Sequence, residues 1–224
     1  MITREKMASL IDQTLLKPDA KKDDIMRLCQ EAMNYGFWSV CVNPSYISLA
    51  ARILRDTQVK VCSVVGFPLG ANTPEVKAFE AEKAIRDGAN EIDMVINLGA
   101  FKSGDYELVK RDIGDVVKHS VRSQRHTIVK VIIETGLLSD EEKALACQIV
   151  KKSGANFVKT STGLNTRGAT VQDVRVIRKI VGPEFGVKAS GGIRTYGDAM
   201  KLIEAGANRI GTSSGPSIIK GINP

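Results

Sequence analysis

The sequence has few metal ligands, and its cysteines stand apart from one another. Its 224 residues include only two histidines, His119 and His126, and neither has the spacing of a metal ligand. Four cysteines are scattered through apolar surroundings without a C-x-x-C pair: Cys29, Cys41, Cys62 and Cys147. Such cysteines are typical of reduced, buried thiols in the cytoplasm. We therefore expect no disulfide, no metal and no other cofactor.

Long apolar runs and aromatic residues are also scarce. No stretch approaches the ~20 apolar residues that span a membrane, and the N-terminal residues Met1–Lys6 do not resemble a signal-peptide core. A cytoplasmic location is expected. The net charge of +7 comes from basic residues without a run of five or more, and aromatic residues make up 5%. Because stacking platforms for bases are scarce, an anionic small molecule or plain solvation explains the charge better than nucleic acid does.

A short punctuation recurs before several β-prone segments. Gly88-Ala89-Asn90, Gly154-Ala155-Asn156 and Gly206-Ala207-Asn208 each precede an apolar run. Glycine here suits the left-handed end of a helix, with a strand following at once. The pattern predicts repeated βα units.

Eight such segments can be counted. The expected strands are Leu10–Leu15, Trp38–Asn43, Val59–Gly66, Glu91–Asn97, Thr127–Glu134, Asn156–Thr160, Gly186–Ser190 and Asn208–Gly211. The helical patterns between them are Lys22–Tyr35, Pro44–Asp56, Pro74–Asp87, Tyr106–Val121, Asp140–Ser153, Thr170–Val181 and Thr195–Ala205. About 28 residues per unit favours an α/β fold with a single (β/α)₈ TIM barrel over residues 1–224 and a short N-terminal helix. A doubly wound open sheet is the alternative, although no G-x-G-x-x-G follows the first strand.

Two lysines stand in nearly the same local sequence. Lys159 ends Phe157-Val158-Lys159 and Lys188 ends Gly186-Val187-Lys188, and each precedes small residues and glycine. A lysine at the end of a buried strand is costly unless it has a partner or a function. Two neighbouring ammonium groups repel, which would lower the pKa of at least one of them and favour a nucleophilic amine. The alternative is that one or both are surface lysines.

Further polar residues end other predicted strands. Strand alternation places Asp93 on the same face as Val95, where a buried carboxylate would need a cation such as one of the two lysines. A purely structural ion pair is the alternative. Lys130, beside Glu134, is interpreted as structural, with an internal charge-balancing role.

Two glycine-rich loops follow the last two predicted strands, where barrels of this type often bind phosphate. They are Ser190-Gly191-Gly192-Ile193-Arg194, leading into a helix at Thr195, and Gly211-Thr212-Ser213-Ser214-Gly215. Glycines allow backbone N–H groups to approach an anion, and the following helix start would add its positive end.

The sequence resembles the deoxyribose-phosphate aldolase family along its whole length. The resemblance is carried by Ile11-Asp12-Gln13-Thr14-Leu15-Leu16-Lys17-Pro18, Val40-Cys41-Val42-Asn43-Pro44, Glu91-Ile92-Asp93-Met94-Val95, Val158-Lys159-Thr160-Ser161-Thr162-Gly163 and Val187-Lys188-Ala189-Ser190-Gly191-Gly192-Ile193-Arg194. It implies a (β/α)₈ fold and metal-independent, reversible cleavage of 2-deoxy-D-ribose 5-phosphate to D-glyceraldehyde 3-phosphate and acetaldehyde. It also implies that Lys159 forms the Schiff base, with Lys188 and Asp93 beside it. The expected substrate-binding residues are Asp12, Thr14, Cys41, Thr160, Gly163, Gly191, Gly192, Arg194, Gly211, Ser213 and Ser214.

The chain departs from the family pattern in places. Gln13 stands where many members have His, and Leu164 where some have lysine, so Arg167 is a candidate for supplying positive charge there. The expected partners are phosphosugar and aldehyde substrates and further copies of the chain, as a dimer or tetramer, without nucleic acid or membrane. Two alternatives remain: a transaldolase-like enzyme with the same fold and nucleophile, and a catalytically inactive barrel that binds nucleic acid.

Overall fold

Eight parallel strands close into a barrel in chain order. The computed structural model describes residues 2–122 and 127–222, so His126 lies outside the described residues. The strands are β1 Ile11–Leu15, β2 Ser39–Val42, β3 Lys60–Val65, β4 Glu91–Val95, β5 Ile128–Ile132, β6 Phe157–Lys159, β7 Gly186–Ser190 and β8 Arg209–Thr212. Each strand pairs with the next, and β1 pairs with β8. The predicted (β/α)₈ barrel is confirmed, and the open sheet is excluded.

Helices surround the barrel. They are α1 Arg4–Ala8, α2 Lys22–Tyr35, α3 Ile47–Ile53, α4 Pro74–Arg86, α5 Leu98–Lys102, α6 Tyr106–Arg122, α7 Asp140–Lys152, α8 Val171–Val181, α9 Tyr196–Glu204 and α10 Gly215–Lys220. The short N-terminal helix is confirmed as α1. The single helix predicted over Pro44–Asp56 is a 3₁₀ turn, Pro44–Tyr46, followed by α3. None of the described helices has the length and apolar character needed to span a membrane.

Local sequence explains where these helices begin and end. In α2, Ile25, Leu28, Cys29 and Ala32 are buried at helical spacing, so one face packs on the barrel. This helix ends at Gly36, whose φ of 69° is left-handed. Five- and six-residue helices such as α5 and α10 are too short to show a periodic pattern, which is why the sequence did not predict them.

The barrel has an apolar outer layer and a charged interior. Alternate residues such as Val129, Val158 and Val187 are fully or almost fully buried in the outer hydrophobic core. The charged residues of the barrel strands that are at most 5% exposed are Asp12, Glu91, Asp93, Lys130, Lys159, Lys188 and Arg209. Barrel interiors are usually filled by branched apolar side chains, so this concentration of buried charge needs a chemical explanation.

Candidate active site

Lys159 and Lys188 meet at one carboxylate. Lys159 Nζ lies 2.7 Å from Asp93 Oδ2, and Lys188 Nζ lies 2.8 Å from the same oxygen. The three side chains come from β6, β7 and β4. Parallel register places the two lysines side by side, and strand alternation directs Asp93 inward as expected. A carboxylate between two amines can accept and return protons, which is the arrangement needed for acid–base chemistry at a bound imine.

The sequence led us to expect a lowered pKa for at least one of the two lysines, and this does not hold for Lys188. Burial lowers the pKa of Lys188, but the carboxylates of Asp12 and Asp93 outweigh burial and hold it above the usual lysine value. Burial would likewise raise the pKa of Asp93, whereas Lys130, Lys159 and Lys188 hold it well below its usual range. Lys188 is therefore favoured as a cation in the resting site, and the lowered pKa expected for at least one of the two lysines does not fall on Lys188.

Lys130 balances charge inside the barrel, as interpreted, but its partners are Asp93 and Glu91 and not Glu134. Lys130 Nζ lies 2.7 Å from both Asp93 Oδ1 and Glu91 Oε2. Strand alternation places Lys130 inside the barrel, whereas Glu134 follows the end of β5 with a left-handed φ of 52°. Glu134 Oε2 accepts a hydrogen bond of 2.5 Å from Thr162 Oγ1 and one of 3.3 Å from Asn165 Nδ2. Glu134 thus holds the loop that follows β6.

A cavity of about 280 Å³ opens at the carboxyl ends of the strands, directly above Lys159. Its lining combines the loops after β1, β6, β7 and β8. The lining residues from the predicted set are Thr14, Lys159, Gly163, Gly191, Gly192, Arg194, Gly211 and Ser213. The volume of the cavity suits a small ligand, and Lys159 lies at the base of the cavity.

Three of the predicted substrate-binding residues are buried and do not line the cavity. Asp12 contacts Lys188 and Arg209 beneath the cavity. The thiol of Cys41 lies 4.0 Å from Asp93 Oδ2. Thr160 Oγ1 donates to the Ser190 carbonyl and accepts from the Ser190 N–H, so it ties β6 to β7. Asp12 and Cys41 can act on a substrate only through Asp93 and Lys188, and Thr160 only by fixing the strand ends.

The glycine loop after β7 has free donors, whereas the two N–H groups that lead into α9 are engaged. Gly191 and Gly192 have left-handed φ values of 89° and 78°, and neither N–H donates a backbone hydrogen bond within the described residues. Successive N–H groups in this geometry form an anion-binding concavity. The N–H groups of Arg194 and Thr195 both donate to Asp198, which caps α9. Asp198 therefore uses the two N–H groups that precede α9, whereas the first-turn N–H groups of Tyr196 and Gly197 donate no backbone hydrogen bond within the described residues.

The loop after β8 separates two adjacent serines. Ser213 is exposed and lines the cavity. Ser214 does not line it, and its N–H donates to Thr212 Oγ1 at 2.9 Å. The next N–H, of Gly215, donates to Gln13 Oε1 at 3.1 Å. Gln13 thus ties β1 to α10, and its Nε2 reaches Glu31 on α2, so its side chain is engaged outside the barrel.

Gly211 makes room for Lys188. A Cβ at this position would lie 2.9 Å from Lys188 Cε and 2.3 Å from Ser190 Oγ. The hydroxyl of Ser190 is buried without a hydrogen-bond partner among the described residues, at a position that lines the cavity. Ser190 therefore offers a free polar group to a ligand next to Lys188.

Lys17 is a cavity residue that the site prediction missed. It follows β1 and lines the same cavity as Arg194, so the two cations lie on the rim of one pocket. Its position directly after a strand, at the catalytic end of the barrel, was the available signal. Arg167, by contrast, is bound to Asp173, with Nη1 2.5 Å from Oδ2. Its charge is largely neutralised there.

One group of ligating atoms could in principle hold a metal ion. The thiols of Cys41 and Cys62 and a carboxylate oxygen of Asp93 lie within 4.8 Å of one another. However, Lys130 Nζ lies 3.4 Å from Cys62 Sγ and 2.7 Å from Asp93 Oδ1. An ammonium therefore already occupies the cation position of this cluster, and a second cation would be repelled.

Comparison with known proteins agrees with this geometry. The description "DeoC/LacD family aldolase" applies to the family whose model matches residues 6–221. The chain belongs to this family. It is 60% identical over 222 residues to deoxyribose-phosphate aldolase of Thermococcus kodakarensis, covering 98% of each chain. It is 61% identical over 217 residues to the enzyme of that name from Thermococcus gammatolerans, covering 96% of each chain.

A solved structure gives the same result. The deoxyribose phosphate aldolase of Aeropyrum pernix, described as a unique tetramer, superposes with a TM-score of 0.91 at 39% identity. The match covers 97% of this chain and 91% of that one. The resemblance stated from sequence motifs is confirmed, and the chain is an aldolase, a carbon–carbon lyase.

Proposed function

We propose that the chain reversibly cleaves 2-deoxy-D-ribose 5-phosphate to D-glyceraldehyde 3-phosphate and acetaldehyde, with Lys159 as the Schiff-base lysine. One observation carries the proposal: Lys159 lines the cavity while its amine contacts the carboxylate oxygen that also binds Lys188. The relatives named above share both the family and nearly the full length of the chain.

The reaction follows from the chemistry of a lysine amine. Neutral Lys159 adds to the C1 aldehyde of the open-chain sugar, and loss of water gives an iminium ion. A base takes the proton of the C3 hydroxyl, the C2–C3 bond breaks, and its electron pair enters the iminium to give an enamine. D-glyceraldehyde 3-phosphate leaves. Protonation of the enamine at C2 and hydrolysis then release acetaldehyde and the free amine.

Asp93 and Lys188 are the groups placed for these proton transfers. Asp93 Oδ2 contacts both amines, so a proton released near Lys159 has a route to and from Lys188. Positioned acid–base groups of this kind contribute typically ~10²–10⁴-fold to rate. Because the site favours the cationic form of Lys188, its charge also favours movement of the electron pair of the C2–C3 bond towards the iminium group.

The far end of the cavity suits the phosphate. Gly191 and Gly192 offer N–H groups, Ser213 offers a hydroxyl, and Arg194 and Lys17 supply positive charge. Binding energy at this remote group fixes the distance between the sugar carbons and Lys159. Ser190, with its unpaired hydroxyl between the two ends, is the natural partner of a sugar hydroxyl.

Borohydride trapping tests the proposal. Acetaldehyde plus borohydride should leave a reduced two-carbon adduct on the peptide that contains Lys159, and turnover should survive EDTA. A transaldolase-like enzyme would instead be trapped by dihydroxyacetone, and an inactive barrel would give no adduct. An adduct on Lys188, or loss of turnover in EDTA, contradicts the assignment.

Further proposals concern the molecule as a whole. It acts as a single domain over residues 1–224, in the cytoplasm, as a dimer or tetramer, without a nucleic-acid partner. The tetrameric relative supports self-association, and the four cysteines, all free and buried, suit a reducing compartment. Analytical ultracentrifugation at micromolar concentration tests self-association, and a purely monomeric species contradicts it.

A further inference from the structure

The buried charges of the barrel form a closed ring in which acids and bases alternate. Going round the ring, each carboxylate contacts the two cations beside it and each cation contacts the two carboxylates beside it; Asp93 also contacts Lys159, and Lys130 Nζ lies 3.9 Å from Asp12 Oδ2 across the ring. The contacts are Asp93–Lys130 (2.7 Å), Lys130–Glu91 (2.7 Å), Glu91–Arg209 (3.2 Å), Arg209–Asp12 (2.9 Å), Asp12–Lys188 (2.5 Å) and Lys188–Asp93 (2.8 Å). These six residues are called the charge ring below. Three negative and three positive charges sum to zero, and Lys159 is attached to the ring only through Asp93.

We infer that Arg209 and Glu91 are positioning residues, which keep the charge ring neutral so that the proton of Lys159 is the surplus one. With Lys159 protonated the cluster carries one uncompensated positive charge, and with the neutral amine it carries none. A buried cluster favours the state of least net charge. The inference rests on the proposed role of Lys159 as the imine-forming lysine.

Neighbouring opposite charges favour the charged forms of Asp12, Asp93, Lys130, Lys188 and Arg209. Burial opposes ionisation, yet the pKa values of Asp12 and Asp93 lie below their usual range because of the neighbouring cations. Burial likewise opposes the charge of Lys130 and Arg209, and neighbouring carboxylates nevertheless raise both pKa values. The resting ring thus keeps its charges in balance, and loss of the proton from Lys159 leaves the whole cluster without net charge.

Arg209 suits the far side of the ring for reasons of shape. Its guanidinium lies 4.4 Å from the ring centre of Trp38 and 5.4 Å from that of Phe157. Trp38 Nε1 donates to Glu91 Oε1 at 2.7 Å. A planar cation between two aromatic faces is stabilised after desolvation. Arg209 and Glu91 touch neither the cavity lining nor Lys159, so their effect on the reaction is electrostatic.

Titratable groups both within the ring and outside it surround Lys159, and the test must separate the two sets. Every strand except β6 contributes one or more, and two more lie on the cavity rim. They are Asp12, Cys41, Cys62, Glu91, Asp93, Lys130, Lys188, Arg209, Lys17 and Arg194. Glu91 and Arg209 contact none of Lys159, Asp93 and Lys188, whereas Asp12 contacts Lys188, so changes at Glu91 and Arg209 alter the ring's charge with the least disturbance of the site.

The experiment measures the rate of borohydride trapping with acetaldehyde against pH. Glu91→Gln keeps the size of the side chain and an acceptor for Trp38, and it leaves the ring one unit positive. The pH midpoint of trapping should fall by about one unit. Arg209→Met leaves the ring one unit negative, and the midpoint should rise by a similar amount. Either variant alone decides the sign.

The double variant and two controls complete the test. Glu91→Gln combined with Arg209→Met restores neutrality, so its midpoint should return to the wild-type value although two contacts are lost. Arg209→Lys keeps the charge and should keep the midpoint, with a lower Tm. Asp112→Asn breaks a comparable buried pair with Lys77, outside the ring, and should lower Tm without moving the midpoint.

The outcomes separate the two proposals. If wild-type enzyme gives no adduct on Lys159, the proposed function fails. If the wild type is trapped at Lys159 but the single variants share one midpoint with it, or shift in the same direction, the charge-ring inference is overturned while the function stands. Midpoints that shift in opposite directions and cancel in the double variant support it, because loss of packing alone predicts additive damage without such cancellation.

Discussion

Lys159 and Lys188 are direct register partners on β6 and β7, and their two amines contact the same carboxylate oxygen. Parallel pairing of strands that end in the same sequence pattern therefore places the proposed nucleophile, Lys159, beside the cation of Lys188. Asp93 between them removes most of the repulsion that two adjacent ammonium groups would otherwise feel. The site thus favours a charged Lys188, while Lys159 is the lysine proposed to form the Schiff base.

Removing the cation of Lys188 should slow imine formation at neutral pH. In Lys188→Leu, Asp93 loses a partner and Lys159 becomes its remaining cation from β6 and β7, so the proton of Lys159 is held more tightly. Trapping with acetaldehyde at pH 7 should fall at least ~10-fold, one pKa unit being a tenfold change. It should recover in part at alkaline pH. Trapping at the wild-type rate at pH 7 would mean that Lys188 acts only in later proton transfer.

Asp93→Asn should show a different defect. The amide keeps the size of the side chain but cannot take a proton, so turnover should fall by ~10²–10⁴-fold. Imine formation should be less affected than exchange of the C2 protons of acetaldehyde with solvent. Deuterium exchange followed by NMR, together with trapping on the same samples, separates the two steps. Equal losses in both assays would contradict a distinct role in enamine protonation.

Adjacent serines provide a matched test of the phosphate end of the cavity. Ser213→Asp places a carboxylate on the cavity lining and should raise KM for 2-deoxyribose 5-phosphate far more than for 2-deoxyribose, because only the phosphate is repelled. Ser214→Asp adds the same charge one residue later, outside the lining, and should have the smaller effect. Steady-state kinetics with both sugars measures the ratio. Equal effects on the two sugars would place the phosphate elsewhere.

Much of the fold could be predicted because local sequence determines it. Near-continuous apolar runs and helix-ending glycines located all eight strands to within two residues at each end. Strand alternation was also enough to direct Asp93 inward. The short helices α5 and α10 were not predicted, because a helix of one or two turns has no periodic face.

The partners of buried charges could not be predicted in the same way. The sequence indicates a charge-balancing role for Lys130 but shows only Glu134 near it, whereas closure of the barrel brings Lys130 to Asp93 and Glu91. Closure likewise brings Arg209 of the last strand to Asp12 of the first. Such contacts join residues far apart in the chain, and no local pattern specifies them. The capping of α9 by Asp198, which uses donors expected for phosphate, was missed for a simpler reason: the acidic residue three positions after Thr195 was not considered.

Acid should loosen the loop after β6 through Asp173. Burial raises the pKa of Asp173, but hydrogen bonds from Arg167 and Lys143 outweigh burial and bring it to about 2. The folded pKa lies below the unfolded value of about 3.9, so this carboxylate contributes stability above about pH 4 that is lost as pH falls towards 2.

Thermal unfolding of Asp173→Asn tests this contribution. At pH 6 the variant should have a lower Tm than the wild type, and the difference should shrink as pH approaches 2. Asp198→Asn is a useful comparison, because that carboxylate caps an exposed helix end and contacts no basic side chain among the described ion pairs. A Tm difference that is constant with pH would show that Asp173 acts through shape and not through its charge.

Gly211 offers the most direct test of the packing around Lys188. In Gly211→Ala the new methyl group would meet Lys188 Cε and Ser190 Oγ at less than normal contact distance. Lys188 cannot move away freely, because Asp12 and Asp93 hold its amine. Overpacking of this kind costs typically ~1–3 kcal/mol, and a displaced amine should lower kcat by about 10–100-fold.

Gly114→Ala is the matched control for this substitution. Gly114 lies within α6, and no atom lies within 4 Å of the position its Cβ would take. Alanine in a helix interior is favoured over glycine by roughly 0.5–1 kcal/mol, so this variant should keep full turnover with an equal or higher Tm. Urea unfolding and steady-state kinetics on both variants supply the comparison. Full turnover in Gly211→Ala would mean that Lys188 can act from a displaced position, and the close contact with Asp93 would then not be required for catalysis.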